Sequence, residues 1–362
     1  MIKELLQEHG VEANIVKSMG VGQIFASSNE HISSLDQISK ALDSITDGEG
    51  ANWIPTNMRP EMLERLRRAL QVSSLFTTFN ITSDQELLPV EGGDATAYLV
   101  PENTADTGQT AITPSDPGTA SINFQSKTIG ALTRVSKKAN RDSIIPLIPY
   151  IQSKLLRAIA VGREDAIING DVAGTHQDVN VTNVKDVRKA WPGFRQMALA
   201  NNWKLDAGTF NAATIFSAIA LMGQYGIDTA DLALILSPIA YAKLRSFPEV
   251  LTRDKAGDQA TMVTGQVNSF GGIPVLVSSK IQQNLNASGV YDGVTTTKTG
   301  FLLVYRPGFS NADRQAVELD EDDTPKENLQ TKVLADARFD FKPNFRLATE
   351  PIVVYGYNVP TT

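Results

Sequence analysis

The stretch IIPLIPYIQSKLLRAIAVGREDAIING, residues Ile144–Gly170, contains the longest helical pattern in the sequence. Its apolar residues recur three or four positions apart, which predicts a long amphipathic helix over residues 144–169. At 1.5 Å per residue, this helix would be roughly 35–40 Å long. Pro146 and Pro149 either confine its true start to the first stretch or kink it there, and Asn169-Gly170 is typical of a helix end.

The residues before this helix predict strands and a projecting hairpin. Ser73–Ile81 (SSLFTTFNI) is rich in β-branched and aromatic residues, Leu87–Val90 is a short apolar run, and Ser121–Lys137 alternates as one long strand or two consecutive ones. Glu91–Ala120 is rich in Gly, Pro, Thr and Asp. Because a structureless loop of that length is unusual inside a compact domain, we expect a hairpin there. Its strands are expected near Thr96–Val100 and Ala111–Thr113.

The residues after the helix alternate helical and strand patterns, as in an α/β domain. We expect helices at Val184–Ala200, Asn211–Tyr225 and Pro238–Phe247, and strands at Leu232–Leu236, Ile273–Val277, Gly300–Tyr305, Lys332–Phe341 and Ile352–Tyr357. Residues 1–58 differ, because short helical patterns alternate there with pieces rich in Gly, Ser and Asn. They predict an arm without a core of its own.

The composition excludes several classes of protein. A formal charge of -7 and a pI of about 5.2 argue against a dedicated nucleic-acid binder, which is usually basic. The absence of cysteine excludes disulfides and thiolate metal sites. The N-terminus lacks the apolar run of a signal peptide, and no stretch approaches the roughly 20 apolar residues of a membrane span. We therefore expect a soluble intracellular protein.

The charges are segregated along the chain. Residues 69–126 contain no Lys or Arg, whereas residues 127–163 carry many cations and a single acid, Asp142. Such blocks bear on association rather than on fold. We expect the acidic loop of one copy to contact the basic segment of a neighbouring copy, and salt to weaken this contact by screening beyond ~8–10 Å. The alternative is that both blocks are ordinary solvated faces. The candidate contact residues are Glu91, Asp94, Glu102, Asp106, Lys127, Arg134, Lys137, Lys138 and Arg157.

Motifs for catalysis, cofactor binding and metal binding are weak. Gly271-Gly272 precedes a predicted strand, whereas a phosphate-binding glycine loop follows one. Glu318–Asp323 (ELDEDD) lacks the spacing and central glycine of a calcium loop, which favours a solvated acidic loop. Glu164 and Asp165 would point about 100° apart on a helix, which favours capping or ion pairing over a catalytic pair. His176 lies in a polar turn and is expected at the surface. We predict no catalytic residue, no cofactor and no metal site.

An arm, a hairpin, a long helix and an α/β domain follow one another over about residues 53–357. Five short stretches within these elements serve as motifs for comparison: Leu88-Pro89-Val90, Ala97–Glu102 (AYLVPE), Glu164–Asp171 (EDAIINGD), Leu236-Ser237-Pro238 and Ser269–Val277 (SFGGIPVLV). The order of elements and these stretches resemble the HK97-like major capsid proteins of tailed bacteriophages.

The resemblance implies an α+β, HK97-like capsid fold with four parts. They would be an N-terminal arm (1–72), an extended E-loop hairpin (82–127), a peripheral domain (73–81, 128–183 and 306–362) with the spine helix (144–169), and an α/β axial domain (184–305). The closing strands would complete the sheet of the peripheral domain.

The resemblance also implies a function. Major capsid proteins self-assemble into pentamers and hexamers, which form an icosahedral shell around packaged double-stranded DNA. Assembly would take place in the host cytoplasm, and the protein would end in the virion. Its partners would be further copies, portal and scaffolding proteins and, in some members, decoration proteins, with non-specific proximity to DNA and no membrane. Because only about 50 residues precede Trp53, we expect a separate scaffolding protein or a retained long arm. No Lys–Asn crosslink is predicted.

Two other interpretations remain open. An encapsulin-like cellular nanocompartment would share the fold, but such chains are typically shorter and lack so long an arm and loop. An enzyme built on residues 184–305 would need an acid/base pair or a cofactor loop at a strand end, and the sequence shows neither.

Overall fold

The structure is a computed structural model that describes residues 71–99, 114–143, 146–323, 326–344 and 350–361. All of them fall within one of the two units into which the chain divides, Arg65–Thr362. Nearly all of the expected N-terminal arm (1–72) therefore lies outside the described residues. So does the middle of the expected hairpin, at 100–113.

Most of the predicted elements are present in the predicted order, but the strands Lys204–Asp206 and Phe309–Asp322 were not predicted, and the helix expected at Val184–Ala200 begins only at Phe194. The strands are β1 (Thr77–Asn80), β2 (Gln85–Gly93), β3 (Gly118–Gln125), β4 (Lys127–Ser136), β5 (Lys204–Asp206), β6 (Leu232–Leu236), β7 (Ser269–Phe270), β8 (Ile273–Val277), β9 (Lys298–Tyr305), β10 (Phe309–Asp322), β11 (Gln330–Pro343) and β12 (Val353–Pro360). The α-helices are α1 (Lys137–Asp142), α2 (Leu147–Asn169), α3 (Phe194–Ala200), α4 (Ala212–Leu221), α5 (Pro238–Leu244), and the one-turn helices α6 (Pro248–Leu251), α7 (Arg253–Ala256) and α8 (Thr261–Thr264).

Helix α2 is the predicted long helix. Pro146 occupies its N-cap, and Pro149 lies in the first turn, where backbone N–H groups have no partner within a helix. At the other end, the Gly170 N–H donates to the Ala166 carbonyl at 2.9 Å. A Cβ on Gly170 would lie 2.3 Å from that oxygen and 2.4 Å from the carbonyl oxygen of Trp191. Close packing therefore requires glycine here.

A four-stranded sheet, in the order β1-β10-β11-β4, packs against α2. Alternate residues of β11, from Val333 to Phe341, are buried, as expected for a strand with one face on a core. Phe76, Phe194, Phe309 and Phe341 fill this core, and the rings of Phe194 and Phe309 have centroids 5.0 Å apart. The long helix is thus fixed to the sheet by aliphatic and aromatic packing.

A six-stranded sheet, in the order β5-β12-β9-β6-β8-β7, forms the α/β region. Every residue of β6 is buried, because helices cover both faces. One face packs with α3 in the core shared with α2, and the other packs with α4 and α5 in a second core. A run that is apolar throughout is the sequence pattern of such a strand.

The placement of Val353–Pro360 differs from the expectation. We expected the last strands to complete the sheet on the long helix, and β11 does so. Strand β12 instead pairs with β5 and β9 in the six-stranded sheet. Val353, Val354 and Tyr355 are all buried, which is typical of a strand covered on both faces. The expectation for β12 is therefore wrong.

Two further expectations need correction. Glu318–Asp323 was expected to be a loop, but it continues β10 as far as Asp322, with Glu321 opposite Val333. This end of β10 is exposed on both faces, so its acidic residues do not show the alternation of apolar and polar residues that predicts a strand. The hairpin strands were expected near Thr96–Val100 and Ala111–Thr113. They lie instead at β2 and β3, Thr96–Leu99 form no strand, and residues 111–113 lie outside the described residues.

Candidate assembly surfaces

Strands β2 and β3 form a separate two-stranded hairpin. Within the described ranges they pair only with each other, and Leu88 lies opposite Ile122. An isolated two-stranded hairpin is marginally stable in water at best. Leu87 is nonetheless 65% exposed, and Leu99, just beyond β2, is 95% exposed. The hairpin therefore presents apolar side chains that the described part of the chain leaves uncovered.

Apart from Glu86, which lies opposite Phe124 at the base, one face of the hairpin is apolar. Because opposite residues share a face, Leu88 and Val90 lie with Ile122 and Ala120 on the face that also carries Phe124. Phe124 is fully buried against the body, and its ring meets that of Phe79 edge to face at 5.1 Å. The other four residues are only partly covered. An apolar strip thus runs outward from the body along the hairpin.

The base of the hairpin is held by Asp84. Its carboxylate accepts a hydrogen bond from the Ser126 hydroxyl at 2.6 Å and forms ion pairs with Arg314 and Arg338 at 2.7 and 2.8 Å. The Ser126 hydrogen bond, and then the two cations, lower the pKa of Asp84. These contacts join both ends of the hairpin to β10 and β11.

A second contact at the base involves Asp340 of β11. The backbone N–H of Gln125 donates to its carboxylate at 2.8 Å. Burial raises the pKa of Asp340, although the Gln125 N–H and the nearby Lys342 partly oppose this. The base of the hairpin is therefore attached to the body at both Asp84 and Asp340.

Two of the four predicted acidic contact residues are described. Glu91 is on β2 and Asp94 follows it, and both are exposed. Neither forms an ion pair with another described residue. Glu102 and Asp106 lie outside the described residues. The described part of the hairpin thus carries exposed negative charge that no other described residue neutralises by an ion pair.

The predicted basic residues fall in three places. Arg134 is exposed near the end of β4, opposite Lys332 of β11, which in turn lies opposite Asp322 of β10. Lys138 follows on α1 and is also exposed. Lys127 begins β4, roughly 23 Å away at ~3.3 Å per residue. Arg157 is on α2, against the opposite face of the sheet. The structure therefore does not bring all five cations together.

Lys137 belongs to the Arg134 group but is paired within the chain. Its ammonium group lies 2.7 Å from the carboxylate of Asp323. Lys127 donates to the side chain of Gln125 at 3.3 Å. Arg134 and Lys138 form no ion pair with any described residue, so they remain available to a partner.

Sequence reasoning missed a buried polar cluster around Arg195. Its guanidinium forms a two-pronged ion pair with Asp178 at 2.8 and 2.9 Å, and both side chains are fully buried. It also donates to Asn169 at 2.9 Å and to the Gly289 carbonyl at 2.7 Å. Burial raises the pKa of Asp178, but Arg195 outweighs burial and leaves this pKa below its usual range. A single cation within the apolar run WPGFRQMALA (Trp191–Ala200) was the available signal.

His176 is buried beside this cluster, so the expectation of a surface histidine is wrong. Its Nδ1 accepts a hydrogen bond from the Asp178 N–H at 2.9 Å. Burial lowers the pKa of His176, opposed by Asp178 and Asp171. Asp171 ties the turn together, because its carboxylate accepts from the N–H groups of Ala173 and Gln177. The turn folds inward although its residues are polar.

Glu164 and Asp165 have separate roles in the structure. Glu164 is buried and accepts a hydrogen bond from the Ser278 hydroxyl at 2.6 Å, and burial raises its pKa. Asp165 forms an ion pair with Lys280 at 3.3 Å. The expectation of ion pairing is confirmed for Asp165. Both carboxylates attach the long helix to the chain that follows β8.

Neither a metal-binding cluster nor a membrane span was found in the described part of the chain. No group of three His, Asp or Glu side chains there is arranged to hold a metal ion. No described helix has the length and hydropathy needed to cross a bilayer.

The long helix on a four-stranded sheet, the projecting hairpin and the six-stranded α/β region define an HK97-like capsid fold. The chain belongs to the phage capsid family, whose sequence profile matches residues 50–353. The expected fold class is thereby confirmed.

Known capsid proteins are similar to this chain in sequence or in fold. The major capsid protein of Escherichia phage T5 is 23% identical over 262 residues, which are 72% of this chain and 53% of that protein. The chain thus spans about half the length of this relative. The capsid of an empty GTA particle, computed with C5 symmetry, matches with a TM-score of 0.61 at 14% identity, covering 88% of this chain and 99% of that one. A chain of Mycobacterium phage Bobi matches with a TM-score of 0.58 at 17% identity, covering 88% and 99%.

Proposed function

We propose that this chain is a major capsid protein whose copies assemble, as pentamers and hexamers, into an icosahedral phage shell around double-stranded DNA. The observation that carries the proposal is the projecting hairpin, whose exposed apolar side chains and negative charges have no cover among the described residues. Surfaces of this kind mark association sites. Membership of the phage capsid family and the T5 relative favour a viral shell over a cellular nanocompartment.

The contact in this proposal joins the hairpin of one copy to β4 and α1 of its neighbour. Glu91 and Asp94 supply negative charge, and Arg134 and Lys138 supply positive charge. Apolar residues on the face that Glu91 shares, such as Leu87, supply the area that leaves water. Complementary charges chiefly fix register and accelerate encounter, whereas apolar burial stabilises the contact.

Further parts of the proposal follow from the function of a shell. Portal and scaffolding proteins, and decoration proteins where present, would be its partners. The protein would be located in the virion after assembly in the host cytoplasm. We infer that it has no catalytic activity, in keeping with its membership of a capsid family.

The test is assembly of the expressed chain, with and without the products of its neighbouring genes. Electron microscopy and sedimentation should show closed particles, either from the chain alone or once a scaffolding protein is supplied. A chain that remains monomeric at low salt and high concentration with those partners present would refute the proposal.

A matched pair of charge reversals tests the contact. Glu91→Lys should impair assembly and leave the fold intact, because the residue is exposed. Glu249→Lys, an equally exposed reversal on α6, should assemble like the wild type. If Glu91→Lys assembles normally across a salt series, the electrostatic contact of the hairpin is refuted.

A further inference from the structure

His176 is the one histidine among the described residues, and only 6% of it is exposed. Its Nδ1 accepts a hydrogen bond from the Asp178 N–H at 2.9 Å, so the proton of the neutral ring is on Nε2. The buried Nε2 has no hydrogen-bond partner in the described part of the chain. The ring is thus hydrogen-bonded there through Nδ1 alone, and this contact exists only while the ring is neutral.

The His176 contact holds the turn at residues 171–183, which follows the end of the long helix. The turn lies against Tyr291, in the segment between β8 and β9. The Val179 N–H donates to the Tyr291 carbonyl at 3.0 Å, and the Tyr291 N–H donates to the Asp178 carboxylate at 2.9 Å. Because the imidazole accepts from the Asp178 N–H, it fixes the residue through which the turn is joined to the α/β region.

The charged groups that act on the ring are three carboxylates and two guanidinium groups. Asp178 is paired with Arg195, and Asp186 is paired with Arg188 at 2.8 Å. The two carboxylate oxygens of Asp171 accept backbone N–H groups of the turn itself. Each of these carboxylates is therefore already engaged by other partners, and an imidazolium would find none of them free.

Protonation of His176 would break the contact for two reasons. A second ring proton would occupy Nδ1, which would then face the Asp178 N–H as one donor against another. The charge would also be buried, and burial lowers the pKa of His176 although Asp178 and Asp171 oppose this. The neutral ring therefore stabilises the turn above the ordinary pKa of 6.5, and this stability is lost as the pH falls below that value.

We propose that His176 is an acid-sensitive latch, which holds the turn against Tyr291 at neutral pH and releases it when the ring is protonated. The release is local, because the turn belongs to no strand or helix of either large sheet. The latch lies within a single copy, so it does not depend on the proposed function. In a shell, it would give each subunit one point that opens in acid while the rest of the subunit stays folded.

Imidazole NMR of the unassembled chain tests whether the ring is neutral when the turn is closed. The chain has 3 histidines, so His9→Asn and His31→Asn assign two signals, and the remaining signal belongs to His176. We expect this signal to titrate below pH 6.5, since burial opposes the charge. A His176 signal that titrates at pH 6.5 or above would overturn the proposal.

Hydrogen exchange of the unassembled chain tests the release itself. After correction for the intrinsic exchange rate, protection of the Val179 and Tyr291 N–H groups should fall by up to about tenfold for each pH unit below ~6.5. His176→Asn removes the titration but keeps an acceptor, because an Asn side chain accepts from the N–H two residues on.

Protection in His176→Asn should therefore not change with pH. His31→Asn is the matched control, which removes another histidine and should behave like the wild type. Protection that is independent of pH in the wild type would overturn the proposal. So would an equal fall in His176→Asn, since the release would then not depend on this ring.

Discussion

The Arg195 cluster and the hairpin differ in where their groups find partners. Arg195 meets Asp178, Asn169 and a carbonyl inside its own chain, fully out of water. The hairpin exposes Leu87, Leu99 and Glu91, which have no such partners among the described residues. The first region holds one subunit together, and the second is suited to hold subunits to each other. Substitutions in the first should change folding, and substitutions in the second should change assembly.

The largest effect on folding is expected at Arg195. Arg195→Met leaves the Asp178 carboxylate buried without its cation, which typically costs about 3–5 kcal/mol of unfolding free energy. Chemical denaturation of the unassembled chain measures this. The double variant Arg195→Met/Asp178→Leu should recover part of the loss, since it removes both charges. Equal losses in the single and double variants would show that the ion pair is not the cause.

Phe124→Ala lies at the boundary between the two regions. It removes a buried ring that packs on Phe79 and Ile81, so we expect a loss of about 3 kcal/mol, the low end for such substitutions. It should also impair assembly, because the hairpin loses its apolar contact with the body. Limited proteolysis of the unassembled chain should cleave the variant near residues 82–127 faster than the wild type. Unchanged proteolysis would contradict the role given to this ring.

The sequence predicted the buried strands better than the polar sites, for a physical reason. Strands β6 and β8 have the predicted bounds, because continuous apolar runs between turn residues have few alternatives. The sheet that β12 joins was predicted wrongly, although its consecutive buried residues fit the sheet that is covered on both faces. The burial of His176 and Arg195 depends on partners distant in sequence, such as Tyr355 and Gly289. No local pattern specifies those partners.

A smaller effect, which depends on pH, is expected at Glu164. Burial raises its pKa in the folded state, so the protonated form stabilises the fold below the unfolded pKa, and that stability is lost as pH rises through the folded value. Glu164→Gln should therefore gain stability relative to the wild type between acid and neutral pH, by about 1.4 kcal/mol for each unit of the rise. Denaturation at several pH values checks this. A difference that is constant with pH would contradict it.

The smallest effect on folding is expected in the hairpin. Leu87→Ser should change the unfolding free energy by less than about 0.5 kcal/mol, because the side chain is mostly exposed. Assembly should nevertheless weaken, because Leu87 loses apolar contact with a neighbour. Sedimentation and denaturation of the same sample separate the two effects. A large loss of folding stability would mean that the hairpin is packed on its own chain.

The most direct test of the account exchanges charges between the hairpin and the edge of the four-stranded sheet. The variants are Glu91→Lys/Asp94→Lys, Arg134→Glu/Lys138→Glu, and all four substitutions in one chain. Sedimentation at low salt measures the fraction of chain in particles. If the hairpin contacts β4 and α1 of its neighbour, each double variant should assemble poorly and the fourfold variant nearly as well as the wild type. A fourfold variant no better than the double variants would contradict it, as would double variants that assemble normally.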